Sequence, residues 1–184
     1  MRSAPRYPHS FLACLAASAL CCTPYSLMRP ADHLQARQFE VAAGASVPSG
    51  IFVSQASVGV FDWMEMGAQY EVYRAEAWAR WRTLDSRSSP VALSLSTGGG
   101  ALLYQVAEPV VLVGATIGRR WRRGGNDVEP YLGYRGYYRP RVGSADHTIK
   151  VGARLALPSG VFFGGEGGAS LHLNTLWIGE GTLS

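Results

Sequence analysis

The sequence predicts an all-β fold, an up-and-down antiparallel transmembrane β-barrel of about 8 to 10 strands. Three observations lead to this prediction. Apolar and polar residues alternate from residue 38 almost to the C-terminus, the composition favours sheet over helix, and the first residues have the pattern of an export signal.

The composition of the chain indicates one sheet-rich domain. Of its 184 residues, 47% are hydrophobic and only 16% are charged, which is unusual for a soluble domain. The chain has 22 Gly, 5 Trp and 9 Tyr, and Lys150 is its only lysine. Glycine together with Trp and Tyr favours twisted strands. The sequence contains no run of 18 apolar residues, so no helical membrane span is predicted.

The net charge gives no reason to expect a nucleic-acid partner. The formal charge is +4, and without Arg2 and Arg6 of the leader 15 basic residues face 13 acidic ones, which leaves +2. One basic cluster surrounds Trp121: Arg119, Arg120, Arg122 and Arg123. It fits a phosphate-binding patch or a strand end at a membrane surface, and we favour the second because charge is common at barrel rims.

Residues 1–22 are predicted to be a signal peptide. Arg2 and Arg6 precede an apolar stretch at residues 11–20, and Ala17-Ser18-Ala19 forms an A-x-A cleavage site. Residues 23–37 contain Pro24 and Pro30 and no alternation, so we expect an extended linker. The β-barrel domain is then predicted over residues 38–184.

All three cysteines lie within the first 22 residues. Cys21 or Cys22 is a candidate lipidation site, although neither follows the Gly, Ala or Ser expected before an acylated cysteine. Plain secretion with a leftover cysteine pair and a misassigned translation start are the alternatives. In each case the domain lacks cysteine, so we expect neither a disulfide framework nor a thiolate metal site.

Ten segments with a period of two are predicted as strands. They cover residues 38–47, 52–60, 64–72, 74–82, 91–96, 111–120, 129–137, 149–157, 161–172 and, more weakly, 175–181. Most approach the length of 9 to 11 residues that a tilted strand needs to cross hydrocarbon, which is about twice the strand length of soluble sheets.

Turn residues separate these segments. We predict a tight turn at Asp62-Trp63, a polar turn over 85–90, a hairpin over 124–127 and a turn over 158–160. Gly98-Gly99-Gly100 is expected to open the longest connection, which reaches about Pro109, and residues 139–146 are expected to form another loop. Connections this short join neighbouring strands and produce a meander.

The polar side of the segments carries charges of both signs and much glycine. Its charged residues are predicted to line the lumen as a network of paired charges: Glu40, Glu65, Glu71, Arg74, Glu76, Arg80, Arg82, Arg120, Glu129, Arg135, Lys150, Arg154 and Glu166. Arginine in place of lysine suits bidentate pairing in a confined space. In a barrel this narrow, such side chains nearly fill the interior, so a plugged lumen is expected.

Aromatic residues near the predicted strand ends resemble the girdles of membrane barrels: Trp63, Tyr73, Trp81, Tyr104, Trp121, Tyr131, Tyr138 and Trp177. A soluble barrel would show the same alternation with its apolar side turned inward. A periplasmic lipocalin-like barrel that binds an apolar ligand therefore remains the alternative.

Two stretches resemble small bacterial outer-membrane β-barrel proteins of the OmpA and OmpW type. One runs from Val58 to Ala68, a strand followed by Asp-aromatic and then apolar-Glu-apolar-Gly, and the other runs from Glu129 to Arg135. The resemblance implies an integral protein of the bacterial outer membrane, with lipid as its partner and a structural or interaction role or a small-solute channel. The chain departs from this family at its end, Gly181-Thr182-Leu183-Ser184, where such barrels often close with Phe or Trp.

Catalysis and cofactors are not expected. Ser170 and His172 share one side of a segment with Glu166, but Glu166 lies about 20 Å from His172 along a strand. His147 beside Asp146 lacks the further ligands of a metal site. An outer-membrane lipid-modifying enzyme is therefore the third hypothesis, and no cofactor or metal is predicted.

Overall fold

The chain folds into one curled antiparallel sheet. A computed structural model describes residues 30–32, 34–45, 52–103 and 107–174. The strands, in chain order, are β1 Phe39–Ala45, β2 Phe52–Phe61, β3 Met64–Glu71, β4 Arg74–Leu84, β5 Ala92–Leu103, β6 Ala107–Gly118, β7 Trp121–Arg123, β8 Asn126–Arg139, β9 Ser144–Ala156 and β10 Phe162–Asn174. Within the described ranges no helix is long and apolar enough to cross a membrane.

Each long strand pairs with its neighbour in sequence, and the short β7 pairs only with β8. This order confirms the predicted all-β, antiparallel, up-and-down arrangement. The sheet curls into a half-barrel whose edges are β1 and β10. We call the end where β1 begins rim A and the opposite end rim B. Rim A carries the turns at 62–63, 85–91 and 157–161, and rim B those at 72–73 and 140–143.

Alternation along the strands separates two faces. The burial pattern of β2 runs exposed-buried along most of its length, and β4 and β9 alternate in the same way. The side chains predicted as polar lie on the concave inner face, and most of the large apolar side chains lie on the convex outer face. The buried exceptions are Val53, Trp78, Val110, Leu112, Tyr131 and Tyr137. A small apolar cluster of Trp78, Leu112 and Tyr137 lies inside the half-barrel.

The predicted loop at Gly98–Gly100 is wrong, because these residues belong to β5. Gly98 and Gly100 pair with Trp78 and Glu76 of β4. A methyl group at Gly98 would overlap the carbonyl of Ala77, and one at Gly100 would overlap that of Ala75. Glycine therefore permits close strand packing here and does not mark a turn.

A second strand also extends into a predicted loop. The predicted loop over 139–146 shrinks to a turn at 140–143, because β9 already begins at Ser144. The predicted hairpin over 124–127 is confirmed, with Gly124 and Gly125 at φ 60° and 86° between β7 and β8. The predicted tenth segment, residues 175–181, lies outside the described residues, as do the leader 1–22 and residues 23–29 of the linker.

Candidate functional site: the charged interior

The inner face carries nearly all charge of the sheet. By the alternation, every Asp, Glu, Lys and Arg in the described parts of the nine long strands lies on this face. Eight of the thirteen predicted lumen residues are buried: Glu65, Glu71, Arg74, Glu76, Arg80, Glu129, Arg135 and Lys150. The side chains of Glu40, Arg82, Arg120, Arg154 and Glu166 are 12% to 28% exposed. Each of the thirteen lies within an ion pair.

Toward rim B, four charges alternate in sign across β3, β4 and β8. Arg74 Nη2 lies 3.0 Å from Glu71 Oε1, and Arg74 Nε lies 3.4 Å from Glu76 Oε2. Arg135 Nη1 reaches Glu76 Oε1 at 2.9 Å and also donates to Tyr137 Oη at 3.2 Å. Glu76 and Arg135 stand on strands that are not neighbours, so this pair crosses the interior.

Next to these charges, aromatic rings fill the middle of the interior. The Arg74 guanidinium lies 4.1 Å from the centre of the Tyr137 ring, a cation–π contact. Trp78 is 5% exposed and lies directly over Gly67 of β3. Leu112 is fully buried beside them. Because these side chains are buried in one cluster, this part of the inner face is packed and closed to solvent.

Toward rim A, Glu129 holds two arginines. It accepts one hydrogen bond from Arg120 Nε and another, at 2.7 Å, from Arg154 Nε. Arg154 Nη1 in turn lies 2.9 Å from Glu40 Oε2. Glu40 stands on β1 and Arg154 on β9, so this pair links the two sides of the open seam of the sheet. Arg120 lies in the connection after β6 and still points to the interior.

The only lysine of the chain is enclosed on β9. Lys150 is 5% exposed, and its Nζ lies 2.6 Å from Glu166 Oε1 of β10. Tyr131 Oη donates to Glu166 Oε2 at 3.1 Å. Tyr131 is 8% exposed, so its predicted place in an outer aromatic girdle is wrong; its ring packs inside over Gly152.

Residues of the predicted linker enter the interior at rim A. Ala31 and Asp32 are 1% and 5% exposed. Arg80 pairs with Glu65 at 2.8 Å and donates to the Pro30 carbonyl at 2.6 Å. Asp32 accepts from Ser86 Oγ at 2.7 Å. The described residues 30–32 and 34–37 therefore belong to the folded unit and cover the inner face at this mouth.

Asp32 was missed from the sequence, because no alternation surrounds it and its partners Ser86 and Arg120 are remote in the chain. Asp85, which pairs with Arg82 at 2.8 Å, was assigned only to a turn. Only the pair of Asp85 could have been predicted from the local sequence, because a carboxylate three residues after an arginine at a strand end can form an ion pair with that arginine.

The described part of the structure gives no catalytic or metal site around Ser170, His172 or His147. The backbones of Ser170 and His172 belong to β10, and their side chains lie outside what is described. His147 faces outward and shares a 2.8 Å hydrogen bond with Tyr134 Oη. Among the described residues, no group of three or more His, Cys, Asp or Glu could hold a metal ion. Cys21 and Cys22 lie outside the described residues.

Aromatic residues line both ends of the outer face. Trp63 and Trp121 at rim A are 52% and 51% exposed, and Tyr73 and Tyr138 at rim B are 44% and 45% exposed. Phe61 stacks on Trp63 with ring centres 5.2 Å apart. Tyr104 and Trp177 lie outside the described residues.

The arrangement thus combines a dense, internally paired charge network with an apolar exterior. Comparison of the chain with models of known protein families, with curated proteins and with solved structures gave no match.

Proposed function

We propose that the chain is an integral β-barrel protein of a bacterial outer membrane, with a plugged, charged lumen and a structural or interaction role. The observation that carries this proposal is the inverted distribution of polarity: charges face the interior, and large apolar side chains face outward. A folded protein in water buries its apolar side chains because their transfer out of water is favourable.

The outer face supports contact with acyl chains. Val41, Ile149, Val151 and Phe163 are 61%, 55%, 64% and 61% exposed on strands that carry no outward charge in their described parts. An exposed apolar surface of this extent marks an interaction with a membrane or a protein. Strands of 10 to 14 residues, as in β2, β4 to β6 and β8 to β10, are long enough to cross hydrocarbon when tilted.

The interior supports a plugged barrel rather than an open channel. The thirteen predicted lumen residues comprise six carboxylates and seven cations, so their charges nearly cancel. Open aqueous channels belong to barrels with many more strands, about 16 to 18, whereas barrels of about eight strands are filled by side chains. Trp78 and Tyr137 occupy the middle of the interior here. The small-solute channel is therefore the less supported form of this proposal.

The soluble alternative requires the opposite interior. A lipocalin-like barrel would need an apolar cavity, but the inner face of the described sheet carries buried Glu65, Glu71, Arg80 and Lys150. The buried charges would then have no role in binding an apolar ligand. The predicted export signal and the resemblance to small outer-membrane barrels add to the membrane proposal.

Fractionation of cells into inner membrane, outer membrane and periplasm tests the proposal. We expect the chain in the outer-membrane fraction, extracted only by detergent, with a gel mobility that changes on heating. Recovery from the periplasm as a monodisperse protein in plain buffer would contradict it. The enzyme hypothesis has a separate test, an assay of the purified protein with lipid A or phospholipid. We expect no turnover, whereas turnover that Ser170→Ala or His172→Ala abolishes would support the enzyme hypothesis.

A further inference from the structure

The two rims differ in their exposed charge. Arg37, Arg87 and Arg119 lie at rim A, are exposed, and form no ion pair among the described residues. Of the carboxylates at this rim, Asp85 pairs with Arg82, and Asp127 pairs with Arg122 at 3.0 Å. The exposed Asp62 forms no ion pair among the described residues and accepts a hydrogen bond from the backbone N–H of Ala36, so the three unpaired arginines outnumber one unpaired carboxylate. Rim A therefore carries an excess of exposed positive charge.

Rim B lacks this excess. Arg139 lies 3.7 Å from Asp146, and Arg141 donates to the carbonyl of Ala107 at 3.4 Å. Glu108, at the rim B end of β6, carries a negative charge that offsets the exposed Arg141. Among the described residues, the excess of exposed positive charge therefore lies at rim A.

The aromatic residues follow the same division. The outward tryptophans of the described chain, Trp63, Trp81 and Trp121, lie at rim A, whereas Tyr73 and Tyr138 lie at rim B. The Arg119 guanidinium lies 5.9 Å from the Trp121 ring, within the range of a cation–π contact. Rim A thus presents arginine next to tryptophan at the boundary of the apolar face, where headgroups of a bilayer would begin.

We propose that rim A binds the headgroups of anionic phospholipids through Arg37, Arg87 and Arg119. The proposal rests on the membrane insertion proposed above and names the lipid class at one end of the protein. The planar guanidinium presents several donors that match phosphate oxygens. Trp63, Trp81 and Trp121 hold this end at the level of the headgroups, so the arginines meet lipid phosphate rather than a free anion in solution.

The test uses the full chain refolded into vesicles of phosphatidylcholine alone and of phosphatidylcholine with phosphatidylglycerol. Brominated forms of each lipid quench tryptophan fluorescence, and the ratio of their apparent association constants measures the preference for the anionic lipid. Trp63, Trp81 and Trp121 report on rim A. Heat-modifiable gel mobility in phosphatidylcholine alone shows separately whether the chain inserts.

We expect the wild-type protein to prefer the anionic lipid, with each arginine contributing about fivefold at low salt. The triple variant R37Q/R87Q/R119Q should insert normally and lose the preference, and R37K/R87K/R119K should keep most of it. Arg141→Gln is the matched control at rim B and should leave the ratio unchanged. Salt of about 1 M should abolish the preference, because it shortens the screening length to about 3 Å.

An equal affinity of the wild-type protein for both lipids would overturn the proposal, as would a preference that survives in R37Q/R87Q/R119Q. Abolition of the preference by inorganic phosphate, but not by chloride at equal ionic strength, would assign the arginines to a free anion and would also overturn it. If the chain fails to insert even into phosphatidylcholine, membrane insertion fails as well, and the gel mobility separates that outcome from the others.

Discussion

Glu76→Gln is the most informative single change in the interior, because among the described residues Glu76 is the only carboxylate in an ion pair with Arg135. Glu76 Oε1 lies 2.9 Å from Arg135 Nη1, and the two side chains are 1% and 10% exposed. After the substitution, Arg74 keeps Glu71 at 3.0 Å, but Arg135 keeps only the neutral Tyr137 hydroxyl as a direct partner and the longer-range attraction of Glu166. A buried guanidinium would then lack a counter-charge in direct contact.

Removing one partner of a buried ion pair costs about 3 to 5 kcal/mol. We expect Glu76→Gln near the lower end, because its side-chain amide oxygen still accepts a hydrogen bond from Arg135. A loss of about 3 kcal/mol lowers the folding equilibrium constant about 150-fold. Urea titration of the protein in phospholipid vesicles, followed by tryptophan fluorescence, measures this free energy of unfolding.

Two variants control this measurement. Asp127→Asn breaks the pair with Arg122, whose side chain is 75% exposed, and should cost much less than Glu76→Gln because water screens the pair. The double variant E76L/R135M removes both charges and should recover most of the loss, because no unpaired ion remains. If Glu76→Gln is as mild as Asp127→Asn, the interior is open to water and the reasoning fails.

Three further predictions concern the walls and the enclosed lysine. Gly98→Ala should lower the free energy of unfolding by about 1 to 3 kcal/mol, because the new methyl group overlaps the Ala77 carbonyl. Gly165→Ala, where the methyl group has open space, should change it by no more than about 0.5 kcal/mol in the same urea titration. In vesicles, Val151→Arg on the outer face should lower the free energy of unfolding by about 2 to 4 kcal/mol. Val142→Arg in the rim B turn should lower it by about 1 kcal/mol or less. Equal losses would argue against a hydrocarbon environment. Lys150, the only lysine, should resist a water-soluble amine reagent until the protein is unfolded, as peptide mass spectrometry would show; rapid labelling of the folded protein would place it in contact with solvent.

The faces of the strands could be predicted from sequence because alternation is a local property. Twelve of the thirteen lumen residues, from Glu40 to Glu166, lie in strands and could be assigned to one side without knowledge of their partners. Arg120 lies just after β6 and continues its alternation. The tight turn at Asp62-Trp63 and the Gly124-Gly125 hairpin were also predictable, since turn residues set them locally.

The partners of the charged residues and the positions of the loops were harder to predict from the sequence. The Glu40–Arg154 pair joins residues 114 positions apart, and no local pattern specifies it. Glycines 98 and 100 resembled a loop, although they serve close packing against β4. Asp32 lies in a stretch without periodicity, and only the curl of the sheet brings it to Arg120. Sequence alternation also leaves open which face is inside, and the curvature of the sheet decides that.

The environment of the outer face can be measured directly with spin labels at single cysteines in vesicles, after replacement of Cys14, Cys21 and Cys22 by serine. Labels at Ile149 and Val151 should collide often with dissolved oxygen and rarely with a water-soluble nickel chelate, because acyl chains surround them. A label at Val142, in the turn at rim B, should show the reverse. If the nickel chelate reaches Ile149 and Val151 as freely as Val142, the apolar face does not lie in a bilayer.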